Sequence, residues 1–480
     1  MARVTAGASD SFARPSASAI DRARLLLERA LGPSKVATSR DVCERYAADD
    51  SDAPGVAPDA VVFARSADDV AEALEIASAT GVPVTPRAAG TGRTGGAVPV
   101  AGGIVLVTLG MSDIKEIDRD EQLAVVGPGV VTGALHEAVE REGLFYPPDP
   151  NSLATCAIGG NLAENAGGPR AFKYGVTRDH VLGVEVVTMG GARLSCGRRT
   201  VKGVTGYDVT ALLVGSEGTL GVFTEATLRL RPKPASVTTL LALFDGARAA
   251  VCAVSAIVAA GLVPRCLELL DAGTLDAVRA RGVSIDPRAS AMLLVEVDGD
   301  PRACELEAER VGEACVAASA LDVVVAQSAA QRDRLWAARR ELSPAVRALA
   351  RHKISEDVVV PRQRLADLLD AVARTSEREG VRSVTYGHAG DGNLHVNFLW
   401  NDASERPAVE RATAQLFRDV VAMRGTLSGE HGIGILKAPY LGLEQSPALI
   451  ALQRDLKRVF DPAGLLNPGK IFPQAGHRAC

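Results

Sequence analysis

The chain has 480 residues, 47% of them hydrophobic and 23% charged, with a net charge of −5. That length admits two or three domains with full cores, and the scattered positive charge excludes the basic surface that nucleic-acid binding needs. Eight cysteines (Cys43, Cys156, Cys196, Cys252, Cys266, Cys304, Cys315 and Cys480) form no C-x-x-C pair and no cluster, which argues against an iron–sulfur site or a disulfide framework and suits a reducing compartment.

Residues 1–18 are rich in Ser and Ala, carry Arg3 and Arg14, and lack the apolar core of a secretory signal. They are expected to form a disordered tail, with an organelle transit peptide the weaker alternative and a cytoplasmic location the default. Residues 19–56 open with Ile20, Leu25, Leu26, Leu27 and Leu31 and stop at Gly32-Pro33, which predicts a helical segment with no chemistry of its own.

Residues 57–235 alternate β-branched runs with amphipathic stretches. Strands are predicted at 61–63 and 82–85, around a helix opened by Asp68 with Val70, Ala73, Leu74 and Ala77 on one face. PRAAGTGRTGG, residues 86–96, follows the second strand directly. Its small residues, with Thr91 and Thr94 between them, make a loop whose backbone N–H groups can turn toward an anion. It has neither the P-loop spacing nor G-x-G-x-x-G ahead of a long helix, so a nucleoside triphosphate or a Rossmann-bound nicotinamide is not supported. PPDPNS (147–152), AIGGNLAENAGG (157–168) and GSEGTLGVFTE (215–225) have the same character. Four such loops within ~140 residues exceed what short connections require, and they are expected to line something long and polar, as a dinucleotide is.

Residues 236–420 carry predicted strands at 239–244 and 291–297. The apolar run 249–263 is shorter than the roughly 20 residues of a membrane span and reads as a buried helix. Trp336, Arg339 and Ser343 recur at helical spacing, and by itself Arg339 reads as a surface ion pair with Glu341 or Asp333. KISEDVVVP, residues 353–361, precedes a predicted helix and supplies Lys353 as a second candidate cation.

Three of the seven histidines fall in YGHAGDGNLHVNF (386–398) and SGEHGIG (428–434). Leu394, Val396 and Phe398 alternate with His395 and Asn397, so the run reads as a strand with the polar pair on one face. AGDGN is turn chemistry, and the resulting hairpin brings His388 close to His395. Glu430, flanked by Gly429 and Gly432, is the third candidate ligand. Two imidazoles and one carboxylate form an open, catalytic type of metal site. The list does not separate zinc, manganese and iron; zinc is taken first. A non-haem iron oxygenase has the same triad, and the four upstream loops argue against it.

The four loops, in this order, resemble the FAD-binding domain of the vanillyl-alcohol oxidase and p-cresol methylhydroxylase flavoproteins. GHAGDGNLHVN, GEHGIGILKAPY and NPGKIF (467–472) resemble the branch with glycolate oxidase flavin subunits, FAD-linked D-lactate dehydrogenases and D-2-hydroxyglutarate dehydrogenases. The resemblance spans residues 20–475 and implies an α+β fold. A two-subdomain FAD-binding domain (57–235) is followed by an α+β cap with an antiparallel sheet (236–420) and a segment returning to the flavin (421–475). Cofactor contacts are implied for Pro86, Arg87, Ala88, Ala89, Gly90, Thr91, Gly92, Thr94 and Gly95; for Pro148, Asp149 and Ser152; for Gly159, Gly160, Asn161, Asn165, Gly167 and Gly168; and for Glu217, Gly218, Gly221, Val222 and Asn467. Ala88-Ala89 and Arg93 depart from the usual loop, and no His lies between residues 86 and 96, so the FAD is expected to be non-covalent. Arg339 resembles the arginine that takes the substrate carboxylate.

With flavin and metal in one pocket, a D-2-hydroxy acid chelates the metal, His431 is the expected base, and Asn397 holds a substrate oxygen or orients a ligand. Without iron–sulfur cysteines of its own, the chain is expected to need an electron acceptor such as oxygen, a quinone, a cytochrome, an electron-transfer flavoprotein or an iron–sulfur subunit. A homodimer is allowed and a transmembrane segment is not expected. D-lactate and glycolate are the favoured substrates, with a D-2-hydroxyglutarate dehydrogenase as the alternative. A flavin-carrying subunit of a glycolate oxidase complex without a site of its own and ether-lipid synthesis by flavin-adduct chemistry are further alternatives, and the complete ligand set argues against these two.

Overall fold

Short apolar runs bounded by Gly and Pro become strands where a neighbour can satisfy their backbone polar groups. The computed structural model describes residues 13–473, and in it these runs build four sheets. The first contains β1 (Val36–Ala37), β2 (Ala60–Phe63), β3 (Val84–Arg87) and β4 (Ile104–Val107) in the order β1-β2-β4-β3. β2 and β3 both run parallel to β4, and the helix Ala67–Thr80 connects β2 to β3. Ser66 opens that helix by accepting from Asp69 N, and Gly81 closes it in the left-handed region, as N-cap and C-cap chemistry dictate.

The second sheet is antiparallel, with order β5-β6-β10-β8-β9: β5 (Ile114–Asp118), β6 (Leu123–Val126), β8 (Val181–Val187), β9 (Arg193–Gly197) and β10 (Val222–Arg229). β7 (Leu144–Phe145) and β11 (Arg231–Pro232) form a small ribbon.

The third large sheet is the cap: β12 (Ser236–Phe244), β13 (Cys266–Leu270), β14 (Ala291–Gly299), β15 (Asp322–Val325), β16 (His352–Val359), β17 (Arg382–His388) and β18 (Asn393–Trp400). Its order is β15-β12-β14-β13-β17-β18-β16, antiparallel throughout. One face buries Leu269, Leu293, Leu394, Val396 and Phe398 in the main core. The helices Ala247–Ala259, Pro301–Ala317, Leu365–Glu379 and Arg406–Ala422 pack on that side. Each such side chain contributes about 1.5–3 kcal/mol relative to exposure. The helices Ala272–Arg279 and Ala329–Arg347 cover part of the other face.

What remains of that second face is the site. The pairings Glu268↔His388, Tyr386↔His395, Asp357↔His395 and Ser355↔Asn397 place polar side chains from four adjacent strands on one side, because side chains alternate with period two and paired residues share a face. The return of the C-terminal segment is equally concrete: Val84 N donates to Leu465 O at 2.8 Å and Asn467 N to Val84 O at 2.7 Å.

Three differences from the sequence reading have local causes. The first helix runs Ala17–Leu31, starting inside the segment expected to be tail, because Ser16 caps it; residues 1–12 of that tail lie outside the described residues. Val36 and Ala37, inside the segment read as helical, are a strand because the edge of β2 accepts them. Residues 353–359 belong to β16; their polar alternation serves a polar cavity and so did not read as a half-buried strand. The run 249–263 is largely the helix Ala247–Ala259, and among the described residues no helix is long and apolar enough to cross a membrane.

Candidate active site

The four Gly-rich loops and the open face of the cap sheet enclose a cavity of about 460 Å³. Of the cofactor contacts expected, Pro86, Arg87, Ala88, Ala89, Gly90, Thr91 and Gly92 line it, with Ser152, Gly159, Gly160, Asn161 and Gly167, then Glu217, Gly218, Gly221, Val222 and Asn467. Asn467 also ties two loops together, its side-chain amide donating to Gly96 O at 3.0 Å and Glu217 O at 2.7 Å.

Six expected contacts do not line the cavity, because other protein segments use them. Thr94 donates its hydroxyl to His431 O at 3.1 Å, and a Cβ on Gly95 would collide with Ile435, so this pair receives the C-terminal loop. Pro148 O is bonded to His136 Nε2 at 2.9 Å. Asp149 accepts from Arg170 N and pairs with the Arg170 guanidinium at 3.1 Å, and Gly168 lies against the Asp149 carbonyl. Asn165 ends the helix Ile158–Glu164 with φ 54° and accepts from Arg178 N at 2.8 Å. These residues brace the loops.

The metal ligands expected from sequence do converge. One donor atom each from His388, His395 and Glu430 lies within 4.8 Å of the others, and Glu430 Oε1 is 3.4 Å from both Nε2 atoms. His388 Nδ1 donates to Glu268 Oε1 at 2.5 Å, which fixes the tautomer that leaves Nε2 facing the centre. Burial opposes the charged form of His388, yet Glu268 and Glu430 hold its pKa well above the usual imidazole value. Burial drives His395 down to about 3, so it stays neutral with a lone pair to offer. Burial would raise Glu430, and His388 with His395 instead draws it down to about 2. An anionic oxygen, a neutral imidazole and an oriented second imidazole fit a divalent cation in place of the proton on His388.

Glu268 is a residue that sequence reasoning missed. Its signal was an acid inside the apolar run CLELL of β13. It also engages Arg339 Nε at 2.7 Å in a fully buried pair, so Arg339 is no surface ion pair; Glu341 bonds to Arg281 instead. Arg339 and Ser343 line the cavity from the helix Ala329–Arg347, as does Tyr386 from β17.

Asp357 was missed as well. Its buried carboxylate accepts from Ser428 Oγ (3.0 Å), Gly429 N (2.7 Å), Glu430 N (2.6 Å), His431 N (3.2 Å) and Lys437 Nζ (2.5 Å). A single anion thus gathers the loop that carries both a candidate ligand and the expected base. His431 Nδ1 lies 3.4 Å from Asp357 Oδ1 without a hydrogen bond between them, so the carboxylate acts on the ring through its charge, which favours a proton on the nitrogen nearer to it. Burial lowers the pKa of His431, with Asp357 opposing, and a neutral imidazole is the form a base requires.

Asn397 does not reach the cavity. It is fully buried, and its amide donates to His395 O at 3.0 Å and Val384 O at 3.2 Å, which makes it a lock on the hairpin and not a substrate contact. Lys353 does line the cavity, and burial together with Arg93 and Arg347 lowers its pKa to about 8.

Two family models match the chain: an FAD binding domain over residues 58–197 and the C-terminal domain of FAD linked oxidases over residues 233–471. Glycolate oxidase subunit GlcD of Bacillus subtilis (strain 168) is 42% identical, over 86% of this chain and 89% of its own length. D-lactate dehydrogenase of Anaerostipes hadrus is 34% identical, over 92% and 95%. A solved structure of p-cresol methylhydroxylase with substrate bound aligns with a TM-score of 0.80 over 95% of this chain and 97% of that one. At 17% identity that likeness speaks for the fold alone, and it is the α+β fold that the resemblance implied.

Proposed function

This chain belongs to the FAD-linked oxidase family, and on that premise we propose that it oxidises a small D-2-hydroxy acid to the 2-oxo acid. D-lactate and glycolate are the first candidates, and the reaction is assisted by a divalent cation, zinc before manganese or iron. The observation that carries the reading is the junction of His388, His395 and Glu430 with Arg339 and His431 on the cavity walled by the Gly-rich loops. The relatives named for glycolate and D-lactate support the substrate class.

Bound FAD supplies a hydride acceptor at this site and a bound cation supplies Lewis acidity; the remaining tasks fall to side chains. Pro86 to Gly92 and the neighbouring loops hold the flavin, without a covalent bond since no His stands in residues 86–96. His388, His395 and Glu430 hold the cation. Arg339, oriented by Glu268, takes the substrate carboxylate. His431 Nε2 accepts the hydroxyl proton, and Asp357 stabilises the imidazolium so formed. Turnover would need an electron acceptor, a quinone, a cytochrome, an electron-transfer flavoprotein or an iron–sulfur subunit, and the word "subunit" in the name of the Bacillus relative supports a partner protein.

The test is a panel of D- and L-2-hydroxy acids with an artificial electron acceptor, with and without chelator. Turnover is expected for D-acids and glycolate, to be lost with chelator and restored by zinc. Rates indifferent to both chirality and chelation would overturn the reading.

Lys353 favours a second reading, a dicarboxylic substrate such as D-2-hydroxyglutarate, because Arg93 also lines the cavity and Arg347 adds positive charge. Under it, Lys353→Met raises KM for D-2-hydroxyglutarate about tenfold or more, the scale of one charged hydrogen bond. Steady-state kinetics with D-lactate as the reference decides, since equal effects on both acids would remove the second carboxylate from consideration.

A further inference from the structure

Two acids stand side by side in the cavity wall, and the reaction described above uses neither. Glu217 has both oxygens engaged, Oε1 by Ile433 N and Oε2 by Gly434 N, at 2.7 Å each. Glu164, the last residue of the helix Ile158–Glu164, is different: its Oε2 is buried and has no hydrogen-bond partner. Its carboxyl is wedged between two glycines. A Cβ on Gly96 would stand 2.9 Å from Oε1, and one on Gly432, at φ +78°, would stand 2.2 Å from Oε2. Glycine at both places lets the acid lie against the phosphate-type loop on one side and the residue after His431 on the other, while still lining the cavity.

The surroundings decide which acid keeps its proton. Burial, then Glu217, Asp49 and Asp357, hold the pKa of Glu164 well above the carboxylate range. Burial raises Glu217 too, but the two backbone donors and the Lys470 and Lys437 charges favour its ionised form. Neighbouring buried carboxyls resist double ionisation, so the proton belongs to Glu164. An O–H with no acceptor is costly; Oε2 is shut in against Gly432, so the proton is presented to the cavity, where the family's cofactor binds, from Oε1.

We propose that Glu164 is a flavin-tuning residue, a neutral carboxylic acid that donates its O–H to a hydrogen-bond acceptor on the flavin ring of bound FAD. The inference rests on the flavin, which family membership supplies, and not on the identity of the substrate. Such a bond strengthens as negative charge grows on the acceptor, so Glu164 favours the reduced cofactor.

FAD-loaded wild type, E164Q and E164L are compared by spectroelectrochemical titration without substrate. Glutamine retains an N–H donor and leucine removes it. In E164L, reduced FAD is expected to be held about tenfold less tightly relative to oxidised FAD, a fall of about 30 mV in the two-electron midpoint, with E164Q at the wild-type value. An unchanged midpoint in E164L, or a raised one in E164Q as loss of an anion would produce, overturns the proposal. The infrared difference spectrum between holo wild type and E164Q tests it without the leucine variant. A protonated-carboxyl C=O band is expected in wild type, and a carboxylate band in its place overturns the assignment.

Discussion

His431→Ala is expected to retain FAD and metal but to lower kcat for a D-2-hydroxy acid by about 10²–10⁴-fold, the usual contribution of a positioned general base. The substitution leaves the backbone N–H that Asp357 holds in place, so the loss is of proton transfer and not of the loop. Flavin absorbance and metal content check occupancy, and the rate of flavin reduction in a single turnover checks the chemistry. Wild-type turnover would remove His431 from the mechanism. The pH profile supplies an independent check. Burial places the pKa of His431 below the ordinary 6.5, and the neutral form, present above that pKa, is the active one. The acidic limb of kcat/KM is therefore expected below pH 6.5, and activity falls as pH drops through it.

Asp357→Asn is expected to damage both stability and site. The carboxylate collects five donors; an amide offers one acceptor oxygen and turns an NH2 group toward the rest. Lys437, 1% exposed, would keep Glu356 as its remaining carboxylate partner, 3.8 Å away. Breaking a buried pair of this kind costs about 3–5 kcal/mol, and Glu430 and His431 lose the anchor of their backbone. The unfolding free energy, zinc content and turnover are all expected to fall. The pH dependence has a definite sign. Burial would raise the pKa of Asp357, but His431 and Lys437 hold it below the carboxylate range. Its stabilisation is then fully present above the unfolded value of about 3.9 and is lost as pH falls through the lower folded value. That acid-dependent component should be missing from the variant. Near-normal unfolding and zinc content would show that the loop is held by other contacts.

The hairpin of β17 and β18 was legible because its determinants are local. Alternation from Leu394 to Phe398 gives a strand, AGDGN gives the turn, and antiparallel pairing then forces His388 and His395 onto one face with ring centroids 5.4 Å apart. Glu430 and His431 were legible as neighbours of that hairpin only through their residue types and glycine setting. The helix–strand alternation of the first half was legible for the same reason, with boundaries moved by a few residues where a cap such as Ser16 or Ser66 sets the start.

Glycine-rich composition had a more limited meaning. It marks places where backbone must come close to something, but not what that something is. Gly90 and Gly92 line the cavity, whereas Gly95 meets Ile435 and Gly168 meets Asp149. Ligand and protein neighbour make the same demand on the backbone, so Thr94, Gly95, Pro148, Asp149, Asn165 and Gly168 carry the same local pattern as residues that line the cavity.

The sequence by itself singled out His388, His395 and Glu430 as a candidate ligand trio and His431 as the proposed base, and through the dinucleotide-type loops it pointed to the FAD-linked class. Tertiary structure alone decided what holds those groups in working order. Glu268 lies 120 residues from His388 and Asp357 lies 74 from His431; they meet because β13 and β16 flank the hairpin in one register. Register between distant strands is set by the packing of the whole sheet against its helices, and no local window of sequence contains it. For the same reason Arg339 by itself read as a surface ion pair and only the resemblance made it a cation for the site, while its partner was not legible, and Asn397 had the right face of the right strand yet spends its amide on the backbone of the hairpin itself.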